Sequence, residues 1–599
     1  DLLRMPLVRK ILMVMRWLDD EMDIPFSGDE RLFEILHFDW FRVPALHVAE
    51  LAHEASDRQR GSNIKHLRQL LAEKTSTPDR DLFTPSMPEP LRVAGEFLES
   101  LLAAVPNHTL QQLFEILIRD GGVVTTILAG PDGTWQLQVL TRLFDFVKDE
   151  TRRNPDLDLH AFVALLDLME QEEVSLPMAQ VTGSEQGVNL LTTHGSKGLE
   201  FEHVFLAGCN ADHWESKRNN RQEYKLPDTV FSTTSDSGSE EELRRLFYVA
   251  VTRAEKHLYI SFARYRNEGK EMEPTRFIAE AMESGQATRT HMVLSEEVLT
   301  QYRTLQFLDT GAPMIDDPHA DFITRALEKF EMSVTALSNY LRCPLEFYYN
   351  NIVRIPGAKN EAMVFGTSVH AALQLLFENM RKDPDLAFPS KAEFQSYFER
   401  NMYRHRESFT REEYTRRLEY GHDVLSAYYD THIPTAHKDV ELETFLGKVV
   451  VNGVPLRGMM DKCERYPDGV KVVDYKTGKV ENGEKKLKGP GEKDPNGGDY
   501  WRQAVFYKLL LENGPRRQYV RAVEFDFIEP DAKKRYRKLP VHITPADEET
   551  VRQQIRMAWE RIQDRDFFTG CGKPDCHWCN FVKDHKIVTG WKTEEESEQ

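Results

Sequence analysis

Residues 443–478 read ETFLGKVVVNGVPLRGMMDKCERYPDGVKVVDYKTG. Three apolar-rich runs are separated by Asn452–Gly453 and Asp468–Gly469. Such dipeptides adopt the left-handed backbone that tight hairpin turns need, so the stretch is expected to be a meander of strands. A helix in DYWRQAVFYKLLLEN (499–513) and a further strand in VRAVEFDFIEP (520–530) are expected to close the sheet. Asp461 and Asp474 then fall on adjacent strands, and Lys476, two residues after Asp474, points to the same face. Gln503 and Tyr507, four apart, share one face of the helix.

Working outward, FGTSVHAAL carries His370 in a stretch from Val334 to about 435 where helices dominate. The motifs FGTSVHAAL, RGMMD (Asp461), VVDYKTG (Asp474, Lys476) and QAVFY (Gln503, Tyr507) together resemble the RecB/AddB type of PD-(D/E)xK nuclease over residues 332–582. An Asp-x-Lys by itself is common; four motifs in the right order carry the resemblance. It implies a catalytic set of His370, Asp461, Asp474, Lys476, Gln503 and Tyr507, with His370, Asp461 and Asp474 as ligands of Mg²⁺ or Mn²⁺. The residue types suit phosphodiester hydrolysis, since hard cations take oxygen ligands and a lysine can orient water and offset negative charge.

Cysteines bracket this region: Cys343 in YLRCPLEFYY, then Cys571, Cys576 and Cys579 in CGKPDCHWCNF. One before the fold and three after it resembles the [4Fe–4S] staple of AddB-type nucleases, with tetrahedral zinc as the alternative. The usual trio in that family reads C-x2-C-x5-C, whereas this one reads C-x4-C-x2-C, and His585 stands where the last Cys would fall. Either Cys571 is then the fourth ligand, or His585 substitutes, or the metal differs; four cysteines that hold no metal are the remaining reading. Cys209 and Cys463 are expected in cores, and Trp578 is expected to shield the cluster. Asn339, Tyr340, Arg342, Phe347 and Tyr348 around Cys343 are either helix core or a stacking surface for single-stranded DNA.

A second set of motifs lies upstream. VNLLTT and HVFLAG are expected strands, and LRRLFYVAVTRAEK is an expected helix followed by the strand HLYISFA, a pattern of a parallel α/β sheet. LLTTHGSKGLEFEHVFLAG and EEELRRLFYVAVTRAEKHLYIS resemble motifs V and VI of UvrD-like superfamily 1 DNA helicases. The resemblance implies that Glu200 and Arg253 contact nucleotide and that Thr192 and His194 face single-stranded DNA. No G-x-x-x-x-G-K-[ST] string occurs in the 599 residues, so only the back half of a motor is expected and ATP hydrolysis unaided is not. Residues 1–178 show three- and four-residue apolar spacing throughout and are expected to be helical.

The chain is thus expected to be multidomain α/β. A helical accessory (2B-like) domain spans 1–178, a partial second RecA-like parallel α/β domain 179–265, a linker 266–330, and a PD-(D/E)xK nuclease α/β domain with the Cys cluster 331–599. Apolar content of 40% excludes wholesale disorder, and no apolar run approaches the roughly 20 residues of a membrane span. The opening DLLRMPLVRKILMVMRWL lacks signal-peptide anatomy, and six cysteines do not make a disulfide scaffold, so a reducing, cytoplasmic setting is expected. The start at Asp1 suggests a fragment.

Net charge is −20, yet basic clusters occur at Arg416 and Arg417, at Lys476, Lys479, Lys485, Lys486 and Lys488, and at Lys533, Lys534, Arg535, Arg537 and Lys538. Each is a solvated face or a local field for nucleic acid. The expected function is that of a fragment of an ATP-dependent helicase–nuclease, hydrolysing DNA, mainly single-stranded, in end processing for recombination or repair. A second helicase–nuclease subunit is a candidate partner. The alternative is a non-catalytic DNA-binding scaffold that docks a partner motor.

Overall fold

The computed structural model describes residues 1–56, 65–76, 87–177, 187–215, 238–266, 270–283, 289–290, 292, 295, 297–298, 302, 312–316, 320–355, 361–491, 494–531, 533–585 and 587–592. The chain forms two compact units, one of Asp1–Ala179 with Gln306–Gln599 and one of Gln180–Leu305.

In the smaller unit β1 (Phe201–Leu206) pairs in parallel with β2 (Ala254–Ile260), and the helix Gly238–Val251 lies between them in sequence. Cys209, Phe247, Phe277 and Ile278 make its core. The strand expected at VNLLTT is absent. Residues 188–192 pair with nothing in a ladder, and Val188 and Leu190 are 91% and 86% exposed. Apolar β-formers become a strand only beside a partner, and among the described residues β1 and β2 pair only with each other. Of the polar stretch 231–242, residues 231–237 lie outside the described residues.

The larger unit holds β3 (Ala312–Met314) and a five-stranded sheet of β4 (Val440–Val451), β5 (Val454–Tyr466), β6 (Gly469–Lys476), β7 (Val520–Phe527) and β8 (Lys538–Val541), in that spatial order. All neighbours are antiparallel except β6 and β7, which are parallel and joined through the helix Asp499–Asn513. The first hairpin turns at Asn452 (φ 50°) and Gly453 (φ 83°), as its dipeptide requires. β8 was not expected. β9 (Gly590–Lys592) pairs antiparallel with β3 and ties the end of the described chain to the segment before Val334. Helices at Lys391–Arg404, Arg411–His432 and Pro545–Gln563 each open with a capping box, Ser390 with Glu393, Thr410 with Glu413 and Thr544 with Asp547.

The helices of residues 1–177 and the C-terminal sheet region, distinct in the sequence reading, share one continuous apolar core. The ring of Phe33 lies 6.0 Å from Phe581 and 6.2 Å from Tyr349, and Phe38 stacks on His585 at 5.3 Å. Within the C-terminal part the buried Arg502 guanidinium donates to Ser338 Oγ (2.8 Å), Asp499 Oδ1 (3.0 Å), Gln554 Oε1 (3.2 Å) and the carbonyls of Asn496 and Gly497. A buried charge is tolerated only when satisfied in this way. No helix among the described residues is long and apolar enough to cross a membrane.

The shared core carries a pH signature. Burial lowers His37 to about 4 and His585 to about 3, and raises Glu34 to about 7. Below the unfolded histidine value of about 6.5 the unfolded chain binds protons that the folded rings refuse, so the histidines lose stability on acidification. Glu34 has the opposite sign, because its raised value means that its contribution is present below the unfolded value and lost as the pH rises through 7. The two histidines and Glu34 thus act in opposite directions between pH 7 and 5. His585→Phe removes one group that loses stability on acidification, so the urea midpoint should fall less from pH 7 to 5 than in the parent chain; an unaltered slope would refute the assignment.

Candidate active site

The antiparallel ladder of β5 and β6 runs from Tyr466–Gly469 to Lys462–Val473, where it stops. One step further on, Asp461 stands across from Asp474, and Asp461 Oδ2 accepts the Tyr475 amide at 2.8 Å, in the place a ladder bond would take. Both carboxylates therefore emerge at the same end of the sheet.

Asp474 is 3% exposed, and its oxygens are treated differently. Oδ1 accepts from Tyr507 Oη at 2.7 Å and from Gln503 Nε2 at 3.1 Å. Oδ2 lies 2.7 Å from Lys476 Nζ in an ion pair that lacks hydrogen-bond alignment. Lys476 Nζ in turn donates to Gln503 Oε1 at 3.1 Å, and Gln503 Nε2 also donates to Tyr507 Oη at 2.6 Å. Burial raises the Asp474 carboxyl against the pull of Lys476, and burial also lifts the Tyr507 phenol well above its ordinary value. The helix Asp499–Asn513 supplies both Gln503 and Tyr507 from one face, as expected.

His370, on the helix Glu361–Lys382, places Nδ1 3.5 Å from Asp461 Oδ2. Burial disfavours its charged form, but the hydrogen bond and charge of Asp461 prevail and raise it above the ordinary imidazole value. The structure thus pairs His370 with Asp461 and groups Asp474 with Lys476, Gln503 and Tyr507. Among the described residues, the ligand atoms of His370, Asp461 and Asp474 do not all converge within 4.8 Å; only the cysteine quartet does so.

One acidic residue was missed by the sequence reading. The β4–β5 pairs Leu442–Lys462 and Thr444–Met460 leave Glu443 opposite Asp461. Glu443 has φ 45°, rare for a residue with a side chain, and burial followed by the negative charge of Asp461 raises its carboxyl. Acids from β4, β5 and β6 thus stand side by side.

The four sulfurs of Cys343, Cys571, Cys576 and Cys579 all lie within 4.8 Å of one another, with Cys579 Sγ 3.9 Å from that of Cys343 and 3.8 Å from that of Cys571. Cys571, not His585, completes the quartet; the His585 ring stacks on Phe38 instead. Gly570 makes room for it, since a Cβ there would come 2.5 Å from Cys579 Sγ. Hydrogen bonding from Cys343 pulls the Cys576 thiol below its ordinary value. Trp578, on the same helix as Cys579, is buried and stacks on Tyr349 at 4.5 Å. Asn339, Tyr340, Phe347 and Tyr348 are buried, and the Tyr340 hydroxyl donates to the Asp566 carbonyl, so the core reading holds for them. Arg342 pairs with Glu346 and, at 3.4 Å, with Asp499. Cys209 and Cys463 are buried.

In the smaller unit Arg253 lies just past the helix Gly238–Val251 and spends its guanidinium on the Val249 and Leu199 carbonyls, both at 2.9 Å, and on Thr252 Oγ1 at 3.1 Å. This clips the helix end to the loop before β1, beside Glu200. Thr192 Oγ1 accepts the Gly195 amide at 3.1 Å, shaping the turn that exposes His194.

Comparison with known proteins gives two domain matches. Residues 331–583 match the family model for the PD-(D/E)XK nuclease superfamily, and residues 54–265 match that for the UvrD-like helicase C-terminal domain. The chain is similar to the ATP-dependent DNA helicase UvrD2 of Mycobacterium tuberculosis H37Rv, at 33% identity over 24% of this chain and 18% of that one. It is also similar to the helicase PcrA of Bacillus subtilis, at 30% identity over 24% and 18%, and to DNA helicase II of Escherichia coli K12, at 27% over 37% and 28%. The matched segment spans less than a third of each of these relatives. A putative exonuclease from Eubacterium rectale superposes at a TM-score of 0.30 and 12% identity, covering 52% of this chain and 99% of that one, too loosely to bear on the fold. By the two domain matches, the chain carries a UvrD-like helicase C-terminal domain and a PD-(D/E)XK nuclease domain.

Proposed function

We propose that this chain hydrolyses DNA phosphodiester bonds with Mg²⁺ or Mn²⁺ at the end of β5 and β6, acting on single-stranded DNA within a helicase–nuclease that processes ends for recombination or repair. The observation that carries this reading is the buried Asp474, held by Lys476, Gln503 and Tyr507 beside Asp461. A solvated Asp–Lys pair would not be so enclosed.

The donor chemistry fits a hard cation. Two carboxylates and an imidazole are available, and Asp474 Oδ2 is held by the Lys476 ion pair alone. Asp461, Asp474 and His370 would hold the ion, which supplies positive charge against the phosphate when bound. Tyr507 and Gln503 act through Asp474 by fixing Oδ1, which leaves Oδ2 to Lys476 and the ion. Lys476, which Gln503 Oε1 holds at 3.1 Å, would orient water and offset charge that builds on the phosphate. Glu200 and Arg253 are proposed to meet ATP, and Thr192 and His194 single-stranded DNA, in a motor whose P-loop comes from outside these residues. Arg253 would first have to release the Val249 and Leu199 carbonyls. A second helicase–nuclease subunit is a proposed partner.

The cysteine quartet fits a thiolate-bound metal. Sulfur separations of 3.8 and 3.9 Å are close to those around one tetrahedral ion with bonds of about 2.3 Å, so zinc fits the quartet as it stands. A [4Fe–4S] cluster takes the same four ligands with the sulfurs spread further. The purified chain should carry metal that Cys579→Ser removes along with part of the thermal stability. Iron with acid-labile sulfide marks a cluster and zinc a single ion; a metal-free chain of unchanged stability would overturn the assignment.

The main test is cleavage of labelled single- and double-stranded DNA by this chain, with Mg²⁺ or Mn²⁺ and no ATP. Asp474→Ala and Lys476→Ala should each slow cleavage by about a hundredfold or more. A folded, metal-loaded chain that binds DNA without cutting it would favour the docking scaffold.

A further inference from the structure

Beside the candidate centre, two lysines share one aromatic ring. Lys476 Nζ lies 4.7 Å from the Tyr500 centroid and Lys486 Nζ 5.2 Å from it, so the ammoniums are no more than about 10 Å apart. Tyr500 is itself braced by Phe525, stacked at 5.1 Å.

Lys486 ends the short helix Val480–Lys486, whose position is tightly set. A Cβ on Gly483 would come 2.2 Å from Phe527 Cζ, and Phe527 is the register partner of Lys476. The helix therefore lies flush against the strand end beside which Lys476 emerges. Lys486 is exposed, as are Lys479, Lys485 and Lys488, and none of the four has a carboxylate within ion-pair distance among the described residues. Of the acids on that helix, Glu484 is engaged by Arg537 at 3.3 Å, and Glu481 is exposed. Lys486 is thus an exposed ammonium seated on an aromatic face beside the centre and left open to an anion from solution.

We propose that Lys486, with Tyr500 as its platform, forms a subsite for the nucleic-acid phosphate next to the one under attack. The chemistry it recognises is the phosphodiester backbone, without regard to base. Lys486 is a substrate-positioning residue, and Lys479, Lys485 and Lys488 extend the same positive field along the incoming strand. The subsite rests on the nuclease reading for its purpose, while its existence rests on binding alone.

The experiment measures binding of a short fluorescent single-stranded oligonucleotide to the 599-residue chain in calcium, across a salt series, alongside cleavage in Mg²⁺ or Mn²⁺. Lys486→Ala should weaken binding equally for different sequences and lower the slope of log affinity against log salt by about 0.7, the value for one lost single-strand phosphate contact. In cleavage, KM should rise with kcat nearly unchanged, and Lys486→Arg should restore both binding and slope. An unchanged affinity and slope in Lys486→Ala, with the wild type binding normally, would overturn the subsite. A wild type that shows the Lys486 contribution to binding yet never cuts DNA would sink the nuclease reading and leave the subsite standing.

Discussion

The 2.8 Å hydrogen bond from the Tyr475 amide to Asp461 Oδ2 marks where β5 and β6 stop pairing. Up to that point the backbone satisfies itself; beyond it a side chain has to take over, because a buried amide left unpaired is costly. Asp461 does so, and in doing so is fixed beside Asp474. The parallel pairing of β6 with β7 continues to Lys476–Phe527, so Asp474 and Lys476 stay anchored from the other side while β5 peels away. The helix Asp499–Asn513, which bridges β6 and β7, then brings Gln503 and Tyr507 over the opening. Each side chain of the candidate nuclease site named here is thus placed by regular structure rather than by a loop.

The electrostatics follow from that geometry. Asp474 is taken out of water and compensated by one ammonium and two neutral donors, an arrangement that breaks badly if one partner is removed. Like charges at Asp461 and Glu443 press on the same space, with His370 as the opposing group. A site that collects acids on three adjacent strands has a standing demand for positive charge. Lys476 meets part of it from within, and a divalent cation would meet the rest.

Much of this was legible in the sequence. The turn dipeptides Asn452–Gly453 and Asp468–Gly469, the Asp-x-Lys spacing and the i, i+4 pair Gln503 and Tyr507 each carry their meaning locally. Glu443 was not legible, for a specific reason. Counting back from the Asn452–Gly453 turn, where Val451 pairs with Val454, would set Glu443 opposite Lys462 and turn it to the other face. A bulge between Leu446 and Val449, with Lys448 at φ 54°, inserts one extra residue and moves Glu443 opposite Asp461. The strand expected at VNLLTT failed for the converse reason, since its composition was right but it has no ladder partner among the described residues. The choice between Cys571 and His585 also needed three dimensions, because only folding shows that His585 turns toward Phe38 and away from the sulfurs.

The central claim is that the end of β5 and β6 is a divalent-cation site built from Asp461 and Asp474. Electron paramagnetic resonance of Mn²⁺ titrated into the DNA-free chain tests it without relying on turnover. The account predicts bound Mn²⁺ in the wild type and an affinity reduced by about tenfold or more in both Asp461→Asn and Asp474→Asn. Mn²⁺ binding that is the same in all three proteins would contradict it.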